Sequence, residues 1–223
     1  MMLDIARSAS AAEVHAIIPY YSFSRSDKKD APRISITGRL VADLLQTAGA
    51  THVMTMMLHS PQVHGFFGVP ADPLSSRPVL EAHFKQRDLS GTIVVAADMG
   101  HAQSAARFAR NLSLPVAAGN KERISDTVVH YSGVVGYQVR GCRRALIYDD
   151  EISTGGTTAE LVRLLIAEGI QEVWLACTHG VFAKDGLAKL AAIPQITEIV
   201  TTNKVERDDN GESGSNWPWL AMW

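Results

Sequence analysis

Two adjacent aspartates, Asp149 and Asp150, sit between the apolar run Leu146-Ile147-Tyr148 and a loop of small residues, in the segment LIYDDEISTGGTT at 146–158. Carboxylates at the C-terminal end of a buried strand can hold the hydroxyls of a sugar or the metal ion bound to it. The loop that follows, Ser153, Thr154, Gly155, Gly156 and Thr157, offers backbone N–H groups and hydroxyls at the start of a helix. That arrangement suits a phosphate. A single site of this kind can grip both ends of a ribose phosphate. Either half alone is also a common loop start or turn; the order strand, Asp-Asp, loop, helix is what carries information.

The chain around this segment has 223 residues, 46% of them hydrophobic and 20% charged, an ordinary composition for a soluble globular protein. Its net charge of −2 gives no reason to expect a nucleic-acid partner, although Arg25, Lys28, Lys29 and Arg33 cluster locally. Cys142 and Cys177 are the only cysteines. They have no metal-site spacing, and two thiols point to a reducing, cytoplasmic setting. No apolar run approaches the ~20 residues that a membrane span needs, and the first residues carry no signal-peptide pattern.

Strand and helix patterns alternate along the chain. Residues 14–19, 51–58, 92–97, 115–118, 144–148, 172–177 and 198–202 read as strands, and 134–139 as an edge strand. Residues 2–10, 37–48, 78–85, 102–111, 157–168 and 186–192 read as helices. Residues 121–131 are polar and read as a mobile loop, and 206–223 as a disordered tail holding Trp217, Trp219 and Trp223. Such alternation predicts an α/β fold of doubly wound parallel sheets, whose ligands sit beyond the strand C-termini. His59, Asp98 and the Asp149–Asp150 pair all fall at such ends.

The chain resembles the ribose-phosphate pyrophosphokinase family, whose fold is built from type I phosphoribosyltransferase-like domains. The resemblance spans roughly residues 3–203. It is carried by IPYYSFSRSDKKDAPRISITGRLVADLL, by LHSPQVHGFFGVPAD, by Lys121-Glu122-Arg123, by YDDEISTGGTT and by ACTHGVF. It implies two phosphoribosyltransferase-like domains, the first incomplete: a partial N-terminal domain over 1–74 with an ATP-side loop, and a C-terminal domain over 75–205 with the ribose-phosphate loop. Family members carry further strands ahead of the segment that begins here at Met1. The implied reaction moves the diphosphoryl group of MgATP to the 1-hydroxyl of ribose 5-phosphate, giving phosphoribosyl pyrophosphate and AMP.

Residue by residue, the resemblance implies that Lys121 and Arg123 are catalytic. Arg25, Ser26, Asp30, Arg33 and His59 would lie on the ATP side. Asp149, Asp150, Ser153, Thr154, Gly155, Gly156 and Thr157 would bind ribose 5-phosphate, and His59 and Asp98 would contact Mg²⁺. Four departures accompany it: Ser26 replaces a family Gln, Met57 and Ser153 replace family Asp residues, and Ala97 replaces a family Pro. Lys28 and Lys29 read as a solvated face. His64 and His101 read as surface or structural residues, and His179 as support for the fold near the site. The implied partners are ATP, ribose 5-phosphate and either a second copy or a full-length family member. A non-catalytic subunit that regulates a full-length synthetase is the alternative reading, and a nucleobase phosphoribosyltransferase a third.

Overall fold

Strands that are buried on both faces read as unbroken apolar runs, and the segment TIVVA of β4 (Thr92–Ala96) shows what such a run does. Its residues alternate between two cores. Ile93 and Val95 face one cluster, together with Ala145 and Ile147 of β7 (Arg144–Ile152). Val94 and Ala96 face the other, with Leu146 and Tyr148. The first core is closed by α5 (Gly156–Ala167) through Leu161, Val162 and Leu165. The second is closed by α3 (Arg77–Phe84) and α4 (Ala102–Asn111), through Phe84 and Phe108. Helices therefore cover both faces of the sheet, as the period-2 pattern requires.

The structure is a computed structural model. It describes the backbone of residues 1–123, 129–202 and 220–222, and the side chains of 1–121 and 131–202. The expected tail tryptophans, Trp217, Trp219 and Trp223, lie outside the described residues. The chain divides into two compact units, Met1–Ser76 and Arg77–Trp223.

The second unit is built on a seven-stranded sheet. Its remaining strands are β5 (Val116–Arg123), β6 (Val129–Gly136), β8 (Glu172–Gly180), β9 (Ile196–Thr202) and β10 (Leu220–Met222). The order is β10-β9-β8-β7-β4-β5-β6. All pairs are parallel except β5 with β6. From β4 the chain moves outward to β5 and β6, then returns to place β7 on the other side of β4. The β4–β7 pair is thus the topological switch point, where open α/β sheets form their ligand crevice.

In the first unit, α1 (Met2–Ser8) precedes a parallel three-stranded sheet of order β1-β2-β3. Its strands are β1 (His15–Ile18), β2 (His52–Met56) and β3 (Ala71–Leu74), and α2 (Thr37–Thr47) joins the first two. Ala16, Ala50 and Val53 form one small core, and Tyr21, Leu58 and Val63 another. The Tyr21 hydroxyl donates to the Gly38 carbonyl at 2.8 Å. Burial first, and the Asp43 charge second, push this phenol up to about 12.

Three expectations need correction. Residues 71–74, which no expected strand covered, form β3, an edge strand, where the N–H that Pro73 lacks is tolerated. Residues 121–131 are not one loop. Their ends belong to β5 and β6, which pair antiparallel with a register shift between Asn120 and Lys121. In the expected tail, residues 220–222 pair with β9 as a short parallel strand.

Cys177 lies fully buried in β8, and burial pushes its thiol up to about 12. Cys142 is only partly buried. Iodoacetamide at pH 8 should therefore label Cys142 in the native protein and Cys177 only after unfolding, as read by peptide mass spectrometry. Native labelling of Cys177 would contradict the assigned core.

Candidate active site

The acidic residues of the second unit converge because β4 and β7 are neighbours in register, with Ala96 opposite Tyr148. Asp98 follows two residues after the one, and Asp150 two after the other. β7 runs on to Ile152, beyond the expected end at 148, so Asp149 and Asp150 lie within the strand and not in a loop. Asp150 is buried. The Asp150 backbone N–H donates to Asp149 Oδ1 at 2.8 Å.

His101 sits in the middle of this group. The turn Met99–His101 leads from β4 into α4 and is capped by Asp98, whose Oδ1 accepts from the His101 N–H at 3.1 Å. The ring then contacts carboxylates on both sides. Nδ1 lies 3.0 Å from Asp98 Oδ1, and Nε2 lies 3.3 Å from Asp150 Oδ1. Asp149 Oδ1 is 3.9 Å from Nδ1. His101, expected as a surface or structural histidine, is half-buried and bridges carboxylates of two strands. Its spacing from Asp98 was visible, but its partner on β7 was not.

Lys121 brings a second cation. It projects from β5, the strand on the other side of β4, with Nζ 3.6 Å from Asp98 Oδ2. Strand pairing, not a loop, carries this lysine to the site. Tyr131 on β6 anchors the hairpin by donating to the Ala97 carbonyl at 2.7 Å. The side chain of Arg123 lies outside the described residues.

These contacts set the charge states. Hydrogen bonds to Asp150 and then Asp98 outweigh burial and push the His101 imidazole from 6.5 up to about 11. The His101 hydrogen bond, with the charges of His101 and Lys121, holds the Asp98 carboxyl well below the usual range. Asp149 is pushed the other way, well above the usual range, by burial and then by the Asp150 charge.

A raised His101 stabilises the fold fully below its unfolded value near 6.5, and that contribution is lost as pH rises through about 11. Asp149, also raised, acts with the same sign. The melting temperature should therefore fall between pH 7 and 10, and His101→Ala should flatten that slope. A wild-type melting temperature that stays level over the interval would contradict the assigned charges.

Beyond β7 the chain forms the small-residue loop. Gly155 adopts φ +70°, in the left-handed region that glycine occupies without strain, and caps α5. Ser153 is half-buried, Thr154 exposed, and Gly156 and Thr157 open the helix. The first N–H groups of this 12-residue helix point at the space an anion would fill. Sequence reasoning missed the loop's support. Gly186, at the start of α6 (Gly186–Ala191), lies against it so closely that a Cβ there would stand 2.5 Å from the Ser153 carbonyl oxygen. His179 is buried in β8, in register with Glu151.

In the first unit, Arg25, Ser26, Lys28 and Asp30 help to line a cavity of about 480 Å³ in front of α2. The Ser26 hydroxyl accepts from the Thr37 N–H at 3.0 Å and reaches the Ser35 carbonyl at 3.1 Å, so it also closes this loop. Arg33 and His59 do not belong to the cavity lining. Arg33 has φ 64°, and His59 is half-buried beyond the end of β2. Met57 has φ 42°. Ser60 donates a short hydrogen bond to Asp27. His64 is structural, with Nε2 2.8 Å from the Ala71 carbonyl.

A profile of the N-terminal domain of ribose phosphate pyrophosphokinase matches residues 1–49. A putative ribose-phosphate pyrophosphokinase of Streptomyces coelicolor is 53% identical over 205 residues, covering 92% of this chain and 64% of the relative. A ribose-phosphate pyrophosphokinase of Deinococcus radiodurans is 49% identical over 207 residues, with the same coverage. The crystal structure of phosphoribosylpyrophosphate synthetase from Mycobacterium smegmatis superposes with a TM-score of 0.84 at 34% identity, covering 100% of this chain and 70% of that one. The chain belongs to the ribose-phosphate pyrophosphokinase family. Membership confirms the expected fold class, parallel α/β sheets of the phosphoribosyltransferase type. The chain spans 64% of the length of the Streptomyces and Deinococcus members. Among the described residues no helix is long and apolar enough to cross a membrane.

Proposed function

We propose that this chain is a ribose-phosphate diphosphokinase serving nucleotide biosynthesis. The 1-hydroxyl oxygen of ribose 5-phosphate attacks the β-phosphorus of ATP. The bond from that phosphorus to the α,β-bridging oxygen breaks, AMP leaves, and the hydroxyl proton is lost. The observation that carries this reading is the β4–β7 switch point, where Asp98, Asp149, Asp150 and Lys121 meet beside a loop that caps a helix N-terminus.

In this reading Asp149 and Asp150 hold the ribose hydroxyls. Ser153, Thr154, Gly155, Gly156 and Thr157 take the 5-phosphate through N–H groups and hydroxyls. Lys121, with Arg123, stabilises the negative charge that spreads over the transferring oxygens. Arg25, Ser26 and Asp30 line the cavity that receives ATP, and Arg33 and His59 complete the ATP-binding set in this reading.

Mg²⁺ suits the second unit's donors, because carboxylate oxygens are the hard ligands it prefers. Asp149 is half-buried beside the Asp150 carboxylate, a repulsion that a divalent cation would offset. Asp98 is the first such ligand. His59 suits a contact to phosphate or through water, since imidazole is a poor Mg²⁺ ligand. When bound, the ion neutralises phosphate charge and orients the substrates.

The exposed Ile17, Leu40 and Leu44 of the first unit support association with a second copy or a full-length family member. Free Cys142 and Cys177 support a cytoplasmic setting. Titration calorimetry with ribose 5-phosphate tests the site directly. Binding is expected, and it should weaken when Mg²⁺ is removed by EDTA. A folded chain that shows no heat of binding would contradict the proposal.

A further inference from the structure

We propose that His101 is a positioning residue for ribose 5-phosphate, tying Asp98 at the end of β4 to Asp150 in β7 so that the sugar meets one fixed set of acceptors. The inference rests on the ribose-phosphate reading of the site. Its basis is geometric. The two ring nitrogens point to carboxylates on different strands, at 3.0 Å from Asp98 and 3.3 Å from Asp150. The ring has little freedom to do otherwise, since its own backbone N–H is held by Asp98 at 3.1 Å and its side chain is only 18% exposed.

The neighbours explain why such a tie is needed. Asp98, Asp149 and Asp150 bring three carboxylates within reach of one imidazole. Left to themselves they would repel one another and turn towards solvent, and a ribose would first have to gather them. Lys121 reaches only the far oxygen of Asp98, at 3.6 Å. The two His101 contacts hold the Asp98 and Asp150 carboxylates in place before the sugar arrives, and binding needs less ordering.

Single substitutions separate the two contacts, because the Gln amide nitrogen stands in for imidazole Nε2 and the Asn amide nitrogen for Nδ1. Ribose 5-phosphate is titrated into the full chain with Mg²⁺, and melting temperature is recorded for each variant. His101→Ala should weaken binding about tenfold, the effect of one charge-assisted hydrogen bond. His101→Gln, which keeps the Asp150 contact, should stay within about threefold of wild type, and His101→Asn should behave like His101→Ala. Binding by His101→Ala within about twofold of wild type would overturn the inference. So would equal weakening by Gln and Asn in step with equal losses of melting temperature, since that pattern means a structural role only. The Gln and Asn pair decides the matter even if the alanine variant does not fold. A wild-type chain that fails to bind overturns the proposed function itself, and this inference with it.

Discussion

Lys121→Ala is expected to lower ribose-phosphate-dependent AMP formation about 10²–10³-fold, the range for removing one preorganised charge donor from a transition state. The expectation follows from where the lysine is held. Its backbone is held in β5, where it pairs with Tyr131 of β6. Its side chain is 19% exposed, and Nζ lies 3.6 Å from Asp98 Oδ2. A cation placed this way reorganises little when charge develops on the transferring phosphoryl oxygens. In the proposed reading ribose 5-phosphate contacts the Asp149–Asp150 end and the 153–157 loop, so its dissociation constant should change by less than about threefold. Steady-state AMP assays and calorimetry on the same preparation check both halves. A variant with full turnover, or one that loses sugar binding instead of rate, would show that Lys121 is not catalytic.

Gly186→Ala is expected to weaken ribose 5-phosphate binding at least about tenfold, although residue 186 touches no substrate in this account. The added Cβ would stand 2.5 Å from the Ser153 carbonyl oxygen and 3.1 Å from the Thr154 carbonyl carbon. Both are backbone atoms of the phosphate loop and cannot rotate away. On the loop's other face, Gly155 is itself confined by the Gly186 carbonyl, which a Cβ on residue 155 would meet at 3.0 Å. Relief must come from moving the loop or α6, and a shift of this kind costs about 1–3 kcal/mol of stability. The melting temperature should fall modestly while affinity falls strongly. Unchanged affinity in a folded Gly186→Ala protein would mean that the 153–157 loop does not hold the phosphate.

The parts of the site that sequence reasoning reached are those contiguous in the chain. Asp149 to Thr157 could be read because strand, carboxylates, loop and helix start follow one another without interruption. The switch point was inferable in outline, since β4 and β7 are strongly apolar and flanked by helical periodicity. What escaped depends on pairing between distant segments. The polar composition of 121–131 hid the end of β5 and the start of β6, the edge strand of the sheet. His101 looked unremarkable because its second partner, Asp150, is 49 positions away, a separation read directly from their numbers. Gly186 is a plain helix-start glycine until the loop is folded against it. Tyr131, at the end of the presumed loop, turns out to pin the hairpin to Ala97.

The most direct test of the account is AMP formation by the purified chain in MgATP, with and without ribose 5-phosphate. The account predicts AMP that appears only when the sugar phosphate is present and that disappears with Lys121→Ala. A folded chain that binds ribose 5-phosphate yet forms no AMP would contradict it, and would leave this family member as a binding subunit that acts through a partner.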